Sequence, residues 1–278
     1  IVNTISNNDT SGGIAKSMAD TITKFSDLWE FNSYDLIFVL GDRYEMFAAA
    51  TSTIPFNIPL AHLHGGETTL GAIDDKFRHS ITAMSTYHFT SSEEHKKRVI
   101  DIIGTDKNVF NVGTLSLEFI NDLNITPKHT NNILFCYHPE TVNLNNEESI
   151  NDVCDALDSI DATFTVLLPN NDTDHNVVRD IIQKRLVGSK YKISKALSYN
   201  EYYTELANCK CMLGNSSSGI YEAASFGKYA INLGDRQKGR ITGGNVIHCS
   251  INADEIVEAY NKVGKWDGSN IYSKPNTS

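Results

Sequence analysis

Short apolar runs alternate with helix-length amphipathic segments along nearly the whole chain. Residues 35–40 (DLIFVL) form one run, ending at Gly41, and residues 58–63 (IPLAHL) form another, ending before Gly65 and Gly66. Runs at 87–90, 109–112, 133–137, 164–168, 211–213 and 230–233 continue the series. Continuous apolar runs bounded by glycine and polar residues read as strands buried on both faces. The clearest helix starts after Ser11, the predicted N-cap, and places Ile14, Met18, Ile22, Phe25 and Trp29 on one face. Strands separated by helices require parallel pairing with right-handed crossovers, hence an α/β chain.

One polar stretch, residues 121–132, carries Pro127 and interrupts the series. It predicts a linker between two Rossmann-like, doubly wound parallel-sheet domains, residues 1–126 and 127–278, facing across a cleft. The ends read as truncated. Only a stub of strand precedes the Ser11 helix, without the glycine-rich turn that opens a dinucleotide-type half, and the final SKPNTS reads as a tail.

Composition narrows the function. A length of 278 residues suffices for two sizeable cores. Acids outnumber bases, 34 Asp+Glu against 24 Lys+Arg for a net charge of −10, which excludes a general nucleic-acid surface. No apolar run approaches the roughly 18 residues that span a bilayer, so no membrane role is expected. The five cysteines, at 136, 154, 209, 211 and 249, are irregularly spaced; Cys209 and Cys211 make a C-x-C, not the C-x-x-C of zinc and redox motifs. With no signal-like opening segment, a reduced cytoplasmic setting is expected.

In open parallel sheets, chemistry collects just past the carboxyl ends of strands. The 35–40 run delivers Asp42 and Arg43; the 58–63 run delivers His64 and Glu67, followed by Asp74, Asp75, Arg78 and His79. Carboxylates and imidazoles on adjacent strand ends suit proton transfer near neutral pH. Each also has a structural use, Asp42 before a helix and Asp74 or Asp75 in a first helical turn; Asp75 is assigned to that use. His62 reads as a core or hydrogen-bonding histidine. A zinc set drawn from His62, His64, Glu67 and His79 lacks a further ligand at helical i,i+4 spacing and sits among arginines, so no metal is expected. His88, His95, His129, His175 and His248 lie outside the clusters and read as surface or core residues.

The turn 214–219 (GNSSSG), between a strand and a helix, aims backbone N–H groups and hydroxyls at one point, an anion site that a helix dipole reinforces. Alone it is compatible with an ordinary capped helix. Glu222 suits the two hydroxyls of a ribose, and His138 and Arg236, from neighbouring strand ends, suit a pyrophosphate. Together they point to a nucleoside diphosphate.

The motifs GDRYE (41–45), AHLHGGETTLGAIDDKFRHSIT (61–82), VGTLSLEFI (112–120), HPE (138–140), GNSSSGIYEAASFG (214–227) and INLGDRQKGR (231–240) resemble, in this order, a known enzyme family. It is that of the hydrolysing UDP-N-acetylglucosamine 2-epimerases of sialic acid biosynthesis, with close relatives in legionaminic acid pathways. The resemblance implies a GT-B-like architecture. It also implies elimination of UDP from UDP-GlcNAc to a 2-acetamidoglucal, then hydration to N-acetylmannosamine, without metal or redox cofactor. By position it implies acid–base roles for Asp42, His64, Glu67 and Asp74, and substrate positioning by Arg43, Arg78 and His79. Nucleotide contacts are implied for His138, Ser216, Ser217, Glu222 and Arg236. Many relatives carry glutamate at the position of His64. The family also has an N-terminal strand with a phosphate-contacting loop and a C-terminal crossing helix that are not seen here, so an exposed core face on the first sheet is expected. A homo-oligomer, dimer or tetramer, is implied. Three alternatives stay open: the same chemistry on a UDP- or GDP-linked 2,4-diacetamido-2,4,6-trideoxyhexose, a glycosyltransferase of the same architecture, and a non-catalytic sugar-nucleotide-binding protein.

Overall fold

Every strand pairing among the described residues is parallel, as glycine-terminated apolar runs separated by helices require. The computed structural model describes residues 10–70, 73–123, 125–128, 130–140, 145–170 and 172–273. The chain falls into two units, the first built from residues up to Thr69 and Ile73–Leu115 and the second from Ser116–Pro275.

Unit 1 runs α1 (Ser11–Phe31), β1 (Ile37–Leu40), α2 (Tyr44–Thr53), β2 (Leu60–Leu63), α3 (Asp74–Met84), β3 (Tyr87–Thr90), α4 (Glu93–Ile103) and β4 (Val109–Asn111). Its strands lie in sequence order, β1-β2-β3-β4. A sheet that always steps in one direction through right-handed crossovers carries all its crossover helices on one face. Val39, Leu60, Ala50 and Ile81 make the core on that face. On the opposite face Phe38, Leu40 and Phe110 are 63%, 58% and 47% exposed. Phe89 stacks between Phe38 and Phe110, with ring centroids 6.4 and 5.6 Å away. On this face the described part of the unit 1 sheet presents apolar side chains.

The start of α1 also differs from expectation. Thr10, not Ser11, is the N-cap, its hydroxyl accepting from the Gly13 N–H at 3.1 Å. The buried stripe is Ile14, Ser17, Thr21 and Trp29, with Met18, Ile22 and Phe25 half-buried. Trp29 Nε1 donates to Ser52 Oγ of α2 at 2.8 Å, so the helix seats on hydroxyls as well as on carbon.

Unit 2 runs α5 (Ser116–Asp122), β5 (Asn132–Cys136), α6 (Asn146–Ser159), β6 (Thr163–Leu167), α7 (His175–Arg185), β7 (Tyr191–Ser194), α8 (Tyr199–Asn208), β8 (Cys211–Gly214), α9 (Ser218–Tyr221), β9 (Tyr229–Leu233), β10 (Val246–Cys249) and α10 (Ala253–Asn261). The order β10-β9-β8-β5-β6-β7 reverses direction between β5 and β8. That reversal puts helices on both faces and opens a crevice at the strand ends, the place where doubly wound sheets bind ligands. The run at 133–136 shows the consequence directly: Ile133 and Phe135 enter one core, Leu134 and Cys136 the other.

Two strands have no counterpart in the predicted runs, β7 and β10. They are the two sheet edges, and their sequences, YKIS and VIHC, interleave polar with apolar positions, as edge strands do. The units divide at Leu115, a helix before the polar 121–132 stretch, because α5 buries Leu117 and Ile120 in the core of unit 2. Among the described residues no helix is long and apolar enough to cross a membrane.

At the crevice, Gly214 ends β8 with φ +138°, and a Cβ there would overlap the Cys136 carbonyl of β5. Only glycine meets both conditions. Gly214→Ala is expected to lower unfolding stability by about 2 kcal/mol or more; an unchanged urea midpoint would contradict this assignment.

Candidate functional site

Each unit carries its own cluster at the carboxyl ends of its strands. In unit 1 the centre is Arg78, buried on α3. Its Nη1 donates to Glu67 Oε2 at 2.9 Å, and its Nη2 to Asp42 Oδ2 and, at 3.3 Å, to Thr69 Oγ1. Asp42 follows β1 after Gly41, a left-handed glycine with φ +77°; Glu67 lies in the loop after β2. One guanidinium thus fixes two carboxylates from adjacent strand ends.

His64 joins this group through Glu67. Its Nδ1 donates to Glu67 Oε1 at 2.8 Å, since an ionised carboxylate only accepts. With the proton held on Nδ1, Nε2 is the basic nitrogen. His64 holds φ at +63°, a left-handed conformation unfavourable for a residue with a Cβ, and its N–H bonds the Phe89 carbonyl at 2.8 Å. Glu67 is buried, whereas the side chains of Asp42 and His64 are 19% and 16% exposed.

The remaining predicted residues of unit 1 are placed differently. Asp74 opens α3 and lies one turn before Arg78, on the same helix face. Asp75 lies in the first turn of α3 but does not cap it: its Oδ1 accepts from the Thr69 N–H in the preceding loop at 2.7 Å. His79 Nε2 is 3.5 Å from Asp75 Oδ2, and burial lowers its pKa despite that carboxylate. Arg43 makes a two-pronged pair with Glu45, at 3.1 and 3.0 Å. His62 is a buried structural histidine: Nε2 donates to the Gly41 carbonyl at 2.9 Å and Nδ1 accepts from Thr82 Oγ1 at 3.1 Å.

In unit 2 the cluster sits at the β5/β8 crevice. Asn215 ties the two strand ends together: its Oδ1 accepts from the His138 N–H at 2.7 Å and its Nδ2 donates to the His138 carbonyl at 2.8 Å. Gln237, from the loop after β9, donates to the Asn215 carbonyl at 2.7 Å. His138, Ser216 and Arg236 gather around Cys136. Burial pushes that thiol up to about 11, against the opposing effects of the Arg236 charge and a Ser216 hydrogen bond. His138 Nδ1 accepts from the Asn170 N–H at 3.2 Å, so the ring carries its proton on Nε2, which faces the buried Cys136 Sγ at 3.4 Å. Arg236 donates to the buried Asp172 carboxylate at 2.9 Å, which orients the guanidinium.

The helix expected after the serine run is a single turn, α9, with Ser217 at the N-cap position but without a side-chain cap bond, and it passes into a 3₁₀ turn at Ala223–Phe226. A macrodipole therefore contributes little, and the serine hydroxyls and N–H groups are the donors that remain. Glu222 closes α9. Its Oε2 accepts from Ser218 Oγ, which accepts from Tyr202 Oη, and the charge of Glu222 adds to burial in raising the Tyr202 pKa.

Residues 2–278 match the family described as UDP-N-acetylglucosamine 2-epimerase. The chain belongs to this family. It is 37% identical over 271 residues to the GDP/UDP-N,N'-diacetylbacillosamine 2-epimerase (hydrolyzing) of Campylobacter jejuni, covering 92% of this chain and 70% of that one. It is 38% identical over 268 residues to the polysialic acid biosynthesis protein P7 of Escherichia coli, covering 89% and 67%. The crystal structure of Methanocaldococcus jannaschii UDP-GlcNAc 2-epimerase in complex with UDP-GlcNAc and UDP shares the fold, with TM-score 0.76 at 16% identity over 96% of this chain and 80% of that one. The α/β fold class and the 2-epimerase family expected from the motifs both hold.

Sequence reasoning missed Glu45, Ser91, Asp172, Asn215 and Gln237, the residues that hold the epimerase clusters in place. Glu45, Asn215 and Gln237 lie inside the quoted motifs, and Asn215 also stands out as a side-chain amide between a strand-ending glycine and a serine run. His62 yields a stability test. Burial lowers its pKa from 6.5 to about 4, so in that window the unfolded chain binds a proton that the folded chain refuses. The contribution is complete above pH 6.5 and is lost as the pH falls toward 4, reaching roughly 3 kcal/mol. Urea titrations at pH 7 and pH 4.5 should show this loss, and a His62→Gln variant should show a smaller one; equal pH slopes would count against the assignment.

Proposed function

We propose that the protein is a hydrolysing 2-epimerase that releases UDP from a UDP-linked 2-acetamido sugar. The observation that carries this reading is the Arg78-centred group, in which one buried cation holds the partly exposed Asp42 directly and the partly exposed His64 through Glu67. Inversion at C2 needs a proton to leave one face of the carbon and return to the other, hence two groups. A base takes the C2 proton, the C–H electron pair forms a C1=C2 double bond, and the C1–O bond to UDP breaks with its electrons. Water then adds to C1 and a proton to the opposite face of C2. Asp42 and His64 are the exchanging groups, Glu67 orients His64, and Asp74 adds a carboxylate to the same face of α3 as Arg78. Arg43 and His79, each already paired with an acid, position substrate.

Unit 2 supplies the nucleotide contacts. Arg236, oriented by Asp172, and His138 take the diphosphate with the hydroxyls of Ser216 and Ser217, and Glu222 takes the ribose. UDP-GlcNAc, giving N-acetylmannosamine, is the leading substrate. The Campylobacter jejuni relative, by its name, favours a second: a nucleotide-linked N,N'-diacetylbacillosamine.

Incubation of the full-length protein with each sugar nucleotide, followed by chromatography of released UDP or GDP, separates the two. Release of nucleotide with a free 2-epimerised sugar from either one supports the reading; no release from any contradicts it. Asp42→Asn and Glu67→Gln should each lower kcat by about 10²–10⁴-fold while leaving UDP affinity within about twofold. Calorimetry showing an equal loss of UDP binding would defeat the division of labour between the clusters.

A further inference from the structure

The loop that carries His64 and Glu67 is held from one side by the first turn of α4. Ser92 caps that helix, its hydroxyl accepting from the His95 N–H at 3.1 Å, and this puts Ser91 and His95 against the loop, both fully buried. Gly66, at φ +78°, packs so tightly there that a Cβ would overlap the His95 carbonyl. Arg98, one turn further along α4, donates to the Gly66 carbonyl at 2.7 Å and to Thr68 Oγ1.

Donor and acceptor counting fixes the direction of the bonds in this group. Ser91 Oγ lies 2.8 Å from Glu67 Oε1 and 2.9 Å from His95 Nδ1. A hydroxyl has one proton, and the carboxylate can only accept it. His95 must then donate to Ser91, so its proton sits on Nδ1. The chain runs from His95 Nδ1–H to Ser91 Oγ–H to Glu67 Oε1, where it meets the Nδ1–H of His64 at 2.8 Å. Arg78 holds the other Glu67 oxygen at 2.9 Å.

We propose that Ser91 and His95 are positioning residues for proton exchange at His64, acting through Glu67. Arg78 fixes where the Glu67 carboxylate sits; Ser91, itself oriented by His95, fixes how Oε1 is turned toward His64 and so which His64 nitrogen is basic. The proposal rests on the reading that His64 exchanges the substrate proton. His95 is replaceable by a residue that keeps a donor at the Nδ1 position: asparagine does so, glutamine reaches the Nε2 position, and leucine keeps only volume.

The test uses the full-length protein with the sugar nucleotide that the wild type turns over, and the variants Ser91→Ala, His95→Asn, His95→Gln and His95→Leu. Ser91→Ala and His95→Leu should lose about 10–100-fold in kcat, the usual effect of removing an outer hydrogen-bonding partner, with KM and UDP affinity nearly unchanged. His95→Asn should recover most of the rate and His95→Gln should not. Wild-type kcat in Ser91→Ala or His95→Leu overturns the proposal. So does an equal loss in His95→Asn and His95→Leu, because a purely structural role would not distinguish them. Nitrogen NMR of ¹⁵N-histidine-labelled protein gives a readout without turnover. The His64 ring should be a single Nδ1–H tautomer in the wild type and a mixture in Ser91→Ala; an unchanged tautomer overturns the proposal. If the wild type turns over no sugar nucleotide while the tautomer shifts as stated, the functional reading fails and the positioning of His64 stands.

Discussion

Unit 1 is organised around a buried guanidinium. Arg78 is withdrawn from water, and a charge in that position is tolerated only when carboxylates and hydrogen bonds replace the solvent. Asp42 and Glu67 provide this, and both come from loops that follow parallel strands. Removing either carboxylate leaves part of the cation uncompensated, typically at about 3–5 kcal/mol. The motif resemblance implied a role for Arg78 in positioning substrate, but its burial makes it first a residue that positions protein carboxylates. The strained His64 backbone, the Gly66 contact with α4 and the Ser91 hydrogen bond all serve the same small group of atoms.

Unit 2 solves a different problem with the same strand-end logic. Its strand order reverses between β5 and β8, so the loops after these strands splay apart, and Asn215 and Gln237 bridge the gap with side-chain amides. Paired charges again orient a cation, here Arg236 on Asp172. In both units the polar groups that would meet a substrate are held by buried partners that would not.

That distinction explains what the sequence made legible. Buried strands were visible because a run such as 133–136 feeds two cores at once and has no polar positions to hide it. The edge strands β7 and β10 were invisible because polar residues break their short apolar runs, Lys192 and Ser194 in one and His248 in the other. Asp42, His64, Glu67 and Arg236 stood out as chemical groups at strand ends. Ser91 and His95 did not: they fall 24 and 28 positions after Glu67, and only the close approach of α4 to the Gly66 loop joins them to it. The serine turn was read correctly as a source of donors, but its helix is one turn long because Glu222 and the 3₁₀ segment redirect the chain toward Gly227.

The central claim is that side chains fixed by Arg78 exchange the C2 proton of a 2-acetamido sugar nucleotide. Turnover in D2O followed by proton NMR of the free sugar tests it most directly. The expected product carries one deuterium at C2 with inverted configuration, together with free UDP. A released sugar that keeps its C2 proton and its original configuration would mean simple hydrolysis, with no proton exchange at C2.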